Sequence, residues 1–284
     1  MRCFSPAKIN LFLHVTGKRP DGYHDLFSLM CGIGLNDIIE FDFNNNALSV
    51  ICDHPQVPDD HTNLAHKAAS LFFESAGIAP GVTITIRKNI PVAAGLGGGS
   101  SNAATVLSTL NTHFKKPFSQ KTLMKMGMRL GADVPFFIDG RPALATGIGE
   151  ILTPYPYLPQ LFVLLINTGV HVSTAAVYKS LNLRLTNQKK DNNIHPFTKE
   201  TCFKAETHLA NDLEAVTAAR YPEINAAKQR LRDQGASGVL MSGSGPTVFG
   251  LFSDRTVAEK AEKALRKDNE DWIFLTKLLT GDDA

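Results

Sequence analysis

Between residues 91 and 101 the chain reads Pro91-Val92-Ala93-Ala94-Gly95-Leu96-Gly97-Gly98-Gly99-Ser100-Ser101. Four glycines fall in the five positions from Gly95 to Gly99. Glycine tolerates positive φ and close backbone approach, so successive N–H groups can converge on an anion. Ser100 and Ser101 follow at the predicted start of a helix, where the dipole favours phosphate. No Lys-Ser/Thr pair follows, so this is not a Walker A loop, and Ser100 stands where the dinucleotide fingerprint needs its third glycine. Two readings remain: backbone binding of phosphate, or a flexible strand–helix turn.

Four other segments carry reactive side chains. Lys8 and Asn10 are two apart and share one face of a predicted strand. A lysine beside an amide can hold a substrate hydroxyl and stabilise its alkoxide; it can equally be a cation at a solvated edge. Arg19-Pro20-Asp21-Gly22 has β-turn composition, and Tyr23 and His24 follow at once. That ring can stack on a base while the imidazole bonds the base edge, or the two can simply flank a hairpin. Asp133, in Gly131-Ala132-Asp133-Val134-Pro135, is either a general base or the N-cap of the next segment. Gly243-Ser244-Gly245-Pro246 is either a tight hairpin or a second place where backbone meets a ligand.

The elements that position these residues follow from periodicity. Ile9, Leu11 and Leu13 alternate with Asn10 and Phe12 along a strand with both faces partly covered. Residues 38–43 and 48–52 read as a strand pair around Asn44-Asn45-Asn46. A helix over 64–77 stops at Gly77, and a strand covers 82–87. Ala103, Leu107 and Leu110 give the helix after the glycines, and a further helix over 119–130 ends at Gly131. Pro154, Pro156 and Pro159 mark a boundary between domains 1–155 and 156–284. The second half begins with a buried strand over 161–166, followed by an exposed loop over 184–199. A helix over 222–234 is capped by Gly235, and strands over 238–241 and 247–252 enclose the second glycine loop. The last helix, after Asp254, offers Glu259–Lys263 and Glu262–Arg266 pairs, and 272–279 is a closing strand. The class is α+β.

Composition removes several functions. Hydrophobic residues make up 43% and charged residues 20% of 284, which is globular and not disordered. Twenty-nine basic and 27 acidic residues leave a net charge of +2, without the basic stripe of a nucleic-acid binder. No apolar run approaches the ~20 residues of a membrane helix. Residues 1–6 lack a signal-peptide core, so the cytoplasm is the expected compartment. Cys3, Cys31, Cys52 and Cys202 form no CxxC, and the histidines form no HExxH. Free thiols and no structural metal are expected.

SPAKINLFL at 5–13, PVAAGLGGGSSNAA at 91–104 and SGSGPTVF at 242–249 together resemble the three motifs of the GHMP kinases. These are ATP-dependent small-molecule kinases. KRPDGYH at 18–24 and GADVPFF at 131–137 resemble the branch whose substrate carries a cytidine diphosphate group. The resemblance spans residues 5–252 and implies two domains, one N-terminal and ribosomal-protein-like, the other C-terminal and ferredoxin-like. It implies ATP as phosphoryl donor, with Mg²⁺, and phosphorylation of the 2-hydroxyl of a cytidine-diphosphate ester of methylerythritol, for non-mevalonate isoprenoid synthesis. By that resemblance Lys8 and Asp133 match the catalytic pair, and residues 91–101 match the ATP phosphate loop. Asn63 and Lys88 match positions near the nucleotide. Asn10, Tyr23 and His24 match the substrate side, with which Thr174 and Tyr178 also align. Ser100 and Ser101 are both candidates for Mg²⁺. A mevalonate or homoserine kinase of the same superfamily would keep the glycine loop without needing Tyr23-His24. The loop over 184–199 matches no part of the pattern.

Overall fold

Strand β1 (Arg2–Lys18) is covered on both faces. Ala7, Ile9, Leu11 and Leu13 alternate with Lys8, Asn10 and Phe12, and all seven are buried. Lys8 is therefore not a solvated edge cation. A turn with Gly22 at φ 89° leads into β2 (His24–Asp42). The computed structural model describes residues 1–181, 197, 201–268 and 271–280. Apart from Phe197, the expected loop over 184–199 lies outside the described residues.

The chain forms two compact units that interleave. One comprises Met1–Ala7, Leu35–Val92 and Gly97–Gly140; the other comprises Lys8–Gly34, Ala93–Leu96 and Arg141–Ala284. The first lies wholly before residue 155, whereas the second has segments on both sides of it.

In the first unit the later part of β2 is antiparallel to β4 (Val82–Arg87), which is parallel to β3 (Leu48–Cys52). The expected pairing of residues 38–43 with 48–52 is thus corrected, because β4 lies between them. Parallel neighbours need a long crossover, and helix α1 (Leu64–Ala76) supplies it between β3 and β4. The Asn63 side chain accepts from the Ala65 amide at the start of α1, and Gly77 ends the helix at φ 64°. Helices α2 (Gly98–His113) and α3 (Gln120–Leu130) share a core with α1 and the sheet, built on Phe72, Ile84, Leu107 and Leu123. The short α4 (Val134–Asp139) adds Val134 to that core.

In the second unit the early part of β2 pairs with β5 (Ala143–Thr146), and β5 with β6 (Ile151–Pro154). A separate antiparallel sheet holds β7 (Phe162–Asn167), β9 (Gly238–Met241), β10 (Thr247–Phe252) and β11 (Trp272–Lys277). Its order is β11-β7-β10-β9. The stretch between β7 and β9 carries α5 (Thr174–Ser180), α6 (Ala205–His208), β8 (Ala210–Asn211, parallel to β1), α7 (Glu214–Arg220) and α8 (Pro222–Asp233). Helix α9 (Arg255–Asp268) joins β10 to β11. Counted within this sheet the strand order is fourth, first, third, second, with α8 and α9 as the crossovers, which is the ferredoxin-like arrangement. Ile224, Ala227 and Leu231 of α8 and Ala258 and Leu265 of α9 are buried with the inner face of this sheet. On α9 Glu262 pairs with Arg266 as expected, but Glu259 turns back to Arg255 at 2.8 Å and not forward to Lys263. Both partners are one turn away, and the guanidinium fork matches a carboxylate better than an ammonium does.

Candidate active site

The glycine loop owes its course to unusual backbone angles. Ala93, Gly95 and Gly97 all have positive φ, at 53°, 76° and 72°. For alanine that conformation is strained, a state found where surroundings enforce a functional geometry. At Gly95 no other residue fits: an added Cβ would lie 2.2 Å from the Ser242 carbonyl oxygen. Ser242 Oγ also donates to the Gly95 carbonyl at 2.9 Å. The second glycine loop is thus a hairpin whose backbone braces the first. It is held in turn by Asn211 Nδ2, which donates to the carbonyls of Met241 at 2.9 Å and Gly243 at 2.7 Å. Thr217 Oγ1 donates to the Ser244 carbonyl at 3.2 Å.

In the first unit the loop runs straight into α2, whose N-cap, Gly97, offers no side-chain acceptor. The first turn's N–H groups have no intrahelical acceptor, so they point positive charge toward the loop. The two serines differ. Ser101 is fully buried, and its Oγ accepts a 2.7 Å bond from Ser5 Oγ. Ser100 is partly buried, and a Cβ on Gly131 would lie 3.7 Å from its Oγ. The Ser100 hydroxyl therefore borders the turn that carries Asp133. That turn is closed by a bond from Val134 N–H to the Gly131 carbonyl at 3.1 Å. Asp133 precedes α4 with helical φ and ψ of −81° and −16°, and its side chain makes no capping hydrogen bond. The capping explanation of Asp133 is removed.

Beneath this loop lies a carboxylate that the sequence reading missed. Asp37 is fully buried and pairs with the Lys88 ammonium. Its Oδ1 accepts from the backbone N–H groups of Asn89 at 2.8 Å and Ile90 at 2.9 Å, just ahead of the loop. Its Oδ2 accepts from Asn102 Nδ2 at 2.9 Å, and the same nitrogen donates to Ser5 Oγ at 2.9 Å. One carboxylate thus ties the strand entering the loop to the helix leaving it. The Asn63 amide is also engaged: it caps α1 and donates to the Pro58 carbonyl at 2.7 Å. The signal for Asp37 was an acid set between the apolar residues Leu35 and Ile38-Ile39 of a predicted strand region.

In the second unit the Lys8 backbone N–H donates to the Leu96 carbonyl at 2.9 Å, which anchors β1 to the loop. Lys8 Nζ donates to Asn10 Oδ1 at 2.8 Å, and Asn10 Nδ2 donates to Ser28 Oγ at 2.8 Å. Tyr23 sits on the β1–β2 turn, where its N–H bonds Asp21 Oδ1 at 3.1 Å and its carbonyl accepts from Arg19 N–H at 2.8 Å. Its side chain is left in solvent, with the residue 60% exposed. His24 stacks on Tyr178 with ring centres 5.2 Å apart and planes 27° apart. Partial burial, and next the Lys18 charge, push the His24 pKa below the usual histidine value. Thr174, at the start of α5, meets Ser244 Oγ of the second glycine loop at 2.7 Å.

Among the described residues no three His, Cys, Asp or Glu side chains are grouped to hold a metal ion, and no helix is long and apolar enough to cross a membrane. Two family models match the chain: the GHMP kinases N terminal domain over residues 63–141 and the GHMP kinases C terminal domain over residues 201–271. A 4-diphosphocytidyl-2-C-methyl-D-erythritol kinase from Pelobacter propionicus is 49% identical over 92% of each chain. One from Syntrophus aciditrophicus is 44% identical over 98% of this chain and 99% of its own. A crystal structure of a 4-(cytidine 5'-diphospho)-2C-methyl-D-erythritol kinase superposes with a TM-score of 0.80 at 34% identity, covering 99% of this chain and 100% of that one. Homoserine kinase from Cytophaga hutchinsonii shares the fold, with a TM-score of 0.73 at 17% identity over 99% of this chain and 95% of that one. The glycine loop, the Lys8–Asn10 pair on β1 and these likenesses agree: the chain belongs to the GHMP kinases, in the family of its 4-diphosphocytidyl-2-C-methyl-D-erythritol kinase relatives.

Proposed function

We propose that this chain transfers the γ-phosphoryl group of ATP to the 2-hydroxyl of 4-diphosphocytidyl-2-C-methyl-D-erythritol, for non-mevalonate isoprenoid precursor synthesis. The observation that carries the phosphoryl chemistry is the glycine loop opening into an uncapped α2, with the Ser100 hydroxyl beside the Asp133 turn. Phosphoryl transfer needs positioning and charge neutralisation more than covalent groups. Residues 91–101 and the N–H groups of α2 cradle the phosphates. Asp133 takes the proton of the attacking hydroxyl, and Lys8 holds that oxygen. When bound with ATP, Mg²⁺ would supply charge neutralisation at the phosphate oxygens. Ser100 fits as its protein ligand better than Ser101, whose hydroxyl is already bonded to Ser5. Asn63 and Lys88 serve the nucleotide through the α1 terminus and the loop entry that they hold.

On the substrate side the exposed Tyr23 ring stacks on the cytosine, and His24 bonds its edge as a neutral imidazole. Asn10, Thr174 and Tyr178 complete that side. We assign the reaction to the cytoplasm, with a small molecule and not a nucleic acid as acceptor. The division near residue 155 is kept as a boundary between sequence modules, since the two family models fall on either side of it. Substrate-dependent ADP release, measured with the cytidine diphosphate ester, mevalonate and homoserine, tests the assignment. Turnover should be confined to the cytidine ester; preferential turnover of either other alcohol overturns it.

A further inference from the structure

We propose that Ser28 is a positioning residue for phosphoryl transfer, because it sets the direction of a buried hydrogen-bond chain that ends on the Lys8 ammonium. The proposal rests on the catalytic role of Lys8 given above. The chain starts at the Phe12 carbonyl, which can only accept. Ser28 Oγ donates to it at 2.6 Å. The hydroxyl proton is thereby used, and a lone pair of Oγ is left to accept from Asn10 Nδ2 at 2.8 Å. The Asn10 amide is now fixed, with its nitrogen toward Ser28 and its oxygen toward Lys8. Asn10 Oδ1 accepts from Lys8 Nζ at 2.8 Å. A flipped amide would set NH₂ against NH₃⁺, two donors with no acceptor between them. Lys8, Asn10 and Ser28 are 5%, 3% and 2% exposed, so bulk water does not replace a missing link.

A lysine head on a flexible four-carbon stem needs a fixed acceptor to hold a defined position. Asn10 is one such acceptor, and Ser28 keeps it facing the right way. Without the Ser28 hydroxyl the amide is free to rotate, and the ammonium loses this hold on its direction toward the reacting oxygen. A misplacement of about 1 Å costs on the order of a hundredfold in rate.

The test uses the full chain, with kcat and KM measured for Ser28→Ala, Ser28→Thr, Asn10→Ala, Lys8→Met and the Ser28→Ala/Asn10→Ala double variant. Thermal melting checks that each is folded. Ser28→Ala should lower kcat by about ten- to a hundredfold and leave KM for ATP within about twofold. Ser28→Thr, which keeps the hydroxyl, should recover most of kcat. On the Asn10→Ala background, Ser28→Ala should cost less than about threefold, because the two act through one chain. Multiplying losses in the double variant would overturn the proposal, and this comparison decides it even if threonine does not fit. Full kcat in Ser28→Ala beside an inactive Lys8→Met overturns the proposal alone. Full kcat in Lys8→Met overturns the catalytic reading of Lys8 and the proposal with it.

Discussion

Asp133 sits where a helix cap is expected yet makes no capping bond. Asp133→Asn keeps the shape of the side chain and removes the base, so it should lower kcat by ~10²–10⁴ with ATP affinity nearly unchanged. Normal turnover in the folded variant would remove the general base. Tyr23 makes the converse case on the substrate side. Its ring lies in solvent, so Tyr23→Ala should cost little stability while weakening the cytidine ester by roughly ten- to a hundredfold. Tyr23→Phe should be mild, and calorimetry with ATP should show no change. For His24 the sign is set by its lowered pKa. The unfolded chain holds the proton more readily than the folded one. The neutral ring thus contributes stability above the ordinary histidine range, and that contribution is lost as pH falls through it. If the neutral ring reads the base edge, KM for the cytidine ester should rise over the same descent while KM for ATP stays flat. His24→Asn should abolish the pH dependence of KM.

At the scale of elements the two glycine loops invite separate tests. Gly95→Ala puts a methyl group against the Ser242 carbonyl at positive φ, so stability and ATP affinity should fall together. Gly99 is different, since a Cβ there meets only Leu64 Cδ1 at 3.4 Å. Gly99→Ala should leave melting unchanged, and any loss of ATP affinity then reports crowding of the phosphates themselves. Under the loop, Asp37→Ala should cost about 3–5 kcal/mol in denaturant unfolding, because it strands the Lys88 cation in a buried site. Adding Lys88→Met should return part of that loss. These elements also mark what the sequence makes legible. The glycine loop, the Gly77 and Gly131 stops and the β9–β10 hairpin rest on local chemistry, and local chemistry is written in adjacent residues. The β2–β3 pairing failed because nothing between residues 42 and 48 announces that β4, which begins only at Val82, inserts between them. Asp37 left a trace as an acid in an apolar strand. Ser28 left none: a serine in a strand is unremarkable until its neighbours across the sheet are known.

For the molecule as a whole the four thiols offer a graded probe. Cys202 is exposed, Cys3 and Cys52 are partly covered, and Cys31 is buried. Burial pushes the Cys31 thiol up to about 12, so it stays protonated and unreactive at neutral pH. A maleimide reagent should label Cys202 first and Cys31 last, and Cys31 labelling in denaturant should follow global unfolding. Fast modification of Cys31 in native buffer would contradict its burial.

The interleaving of the two units bears on recombination between relatives. The chain passes from one unit to the other five times, after Ala7, Gly34, Val92, Leu96 and Gly140. A crossover near residue 155, where the family models suggest a seam, would give Gly95 from one parent and Ser242 from the other. Chimeras joined there inherit a foreign brace behind the phosphate loop, although neither parental half carries a mutation. Shuffled libraries should therefore favour progeny in which residues 93–96 and 242–246 descend from the same ancestor.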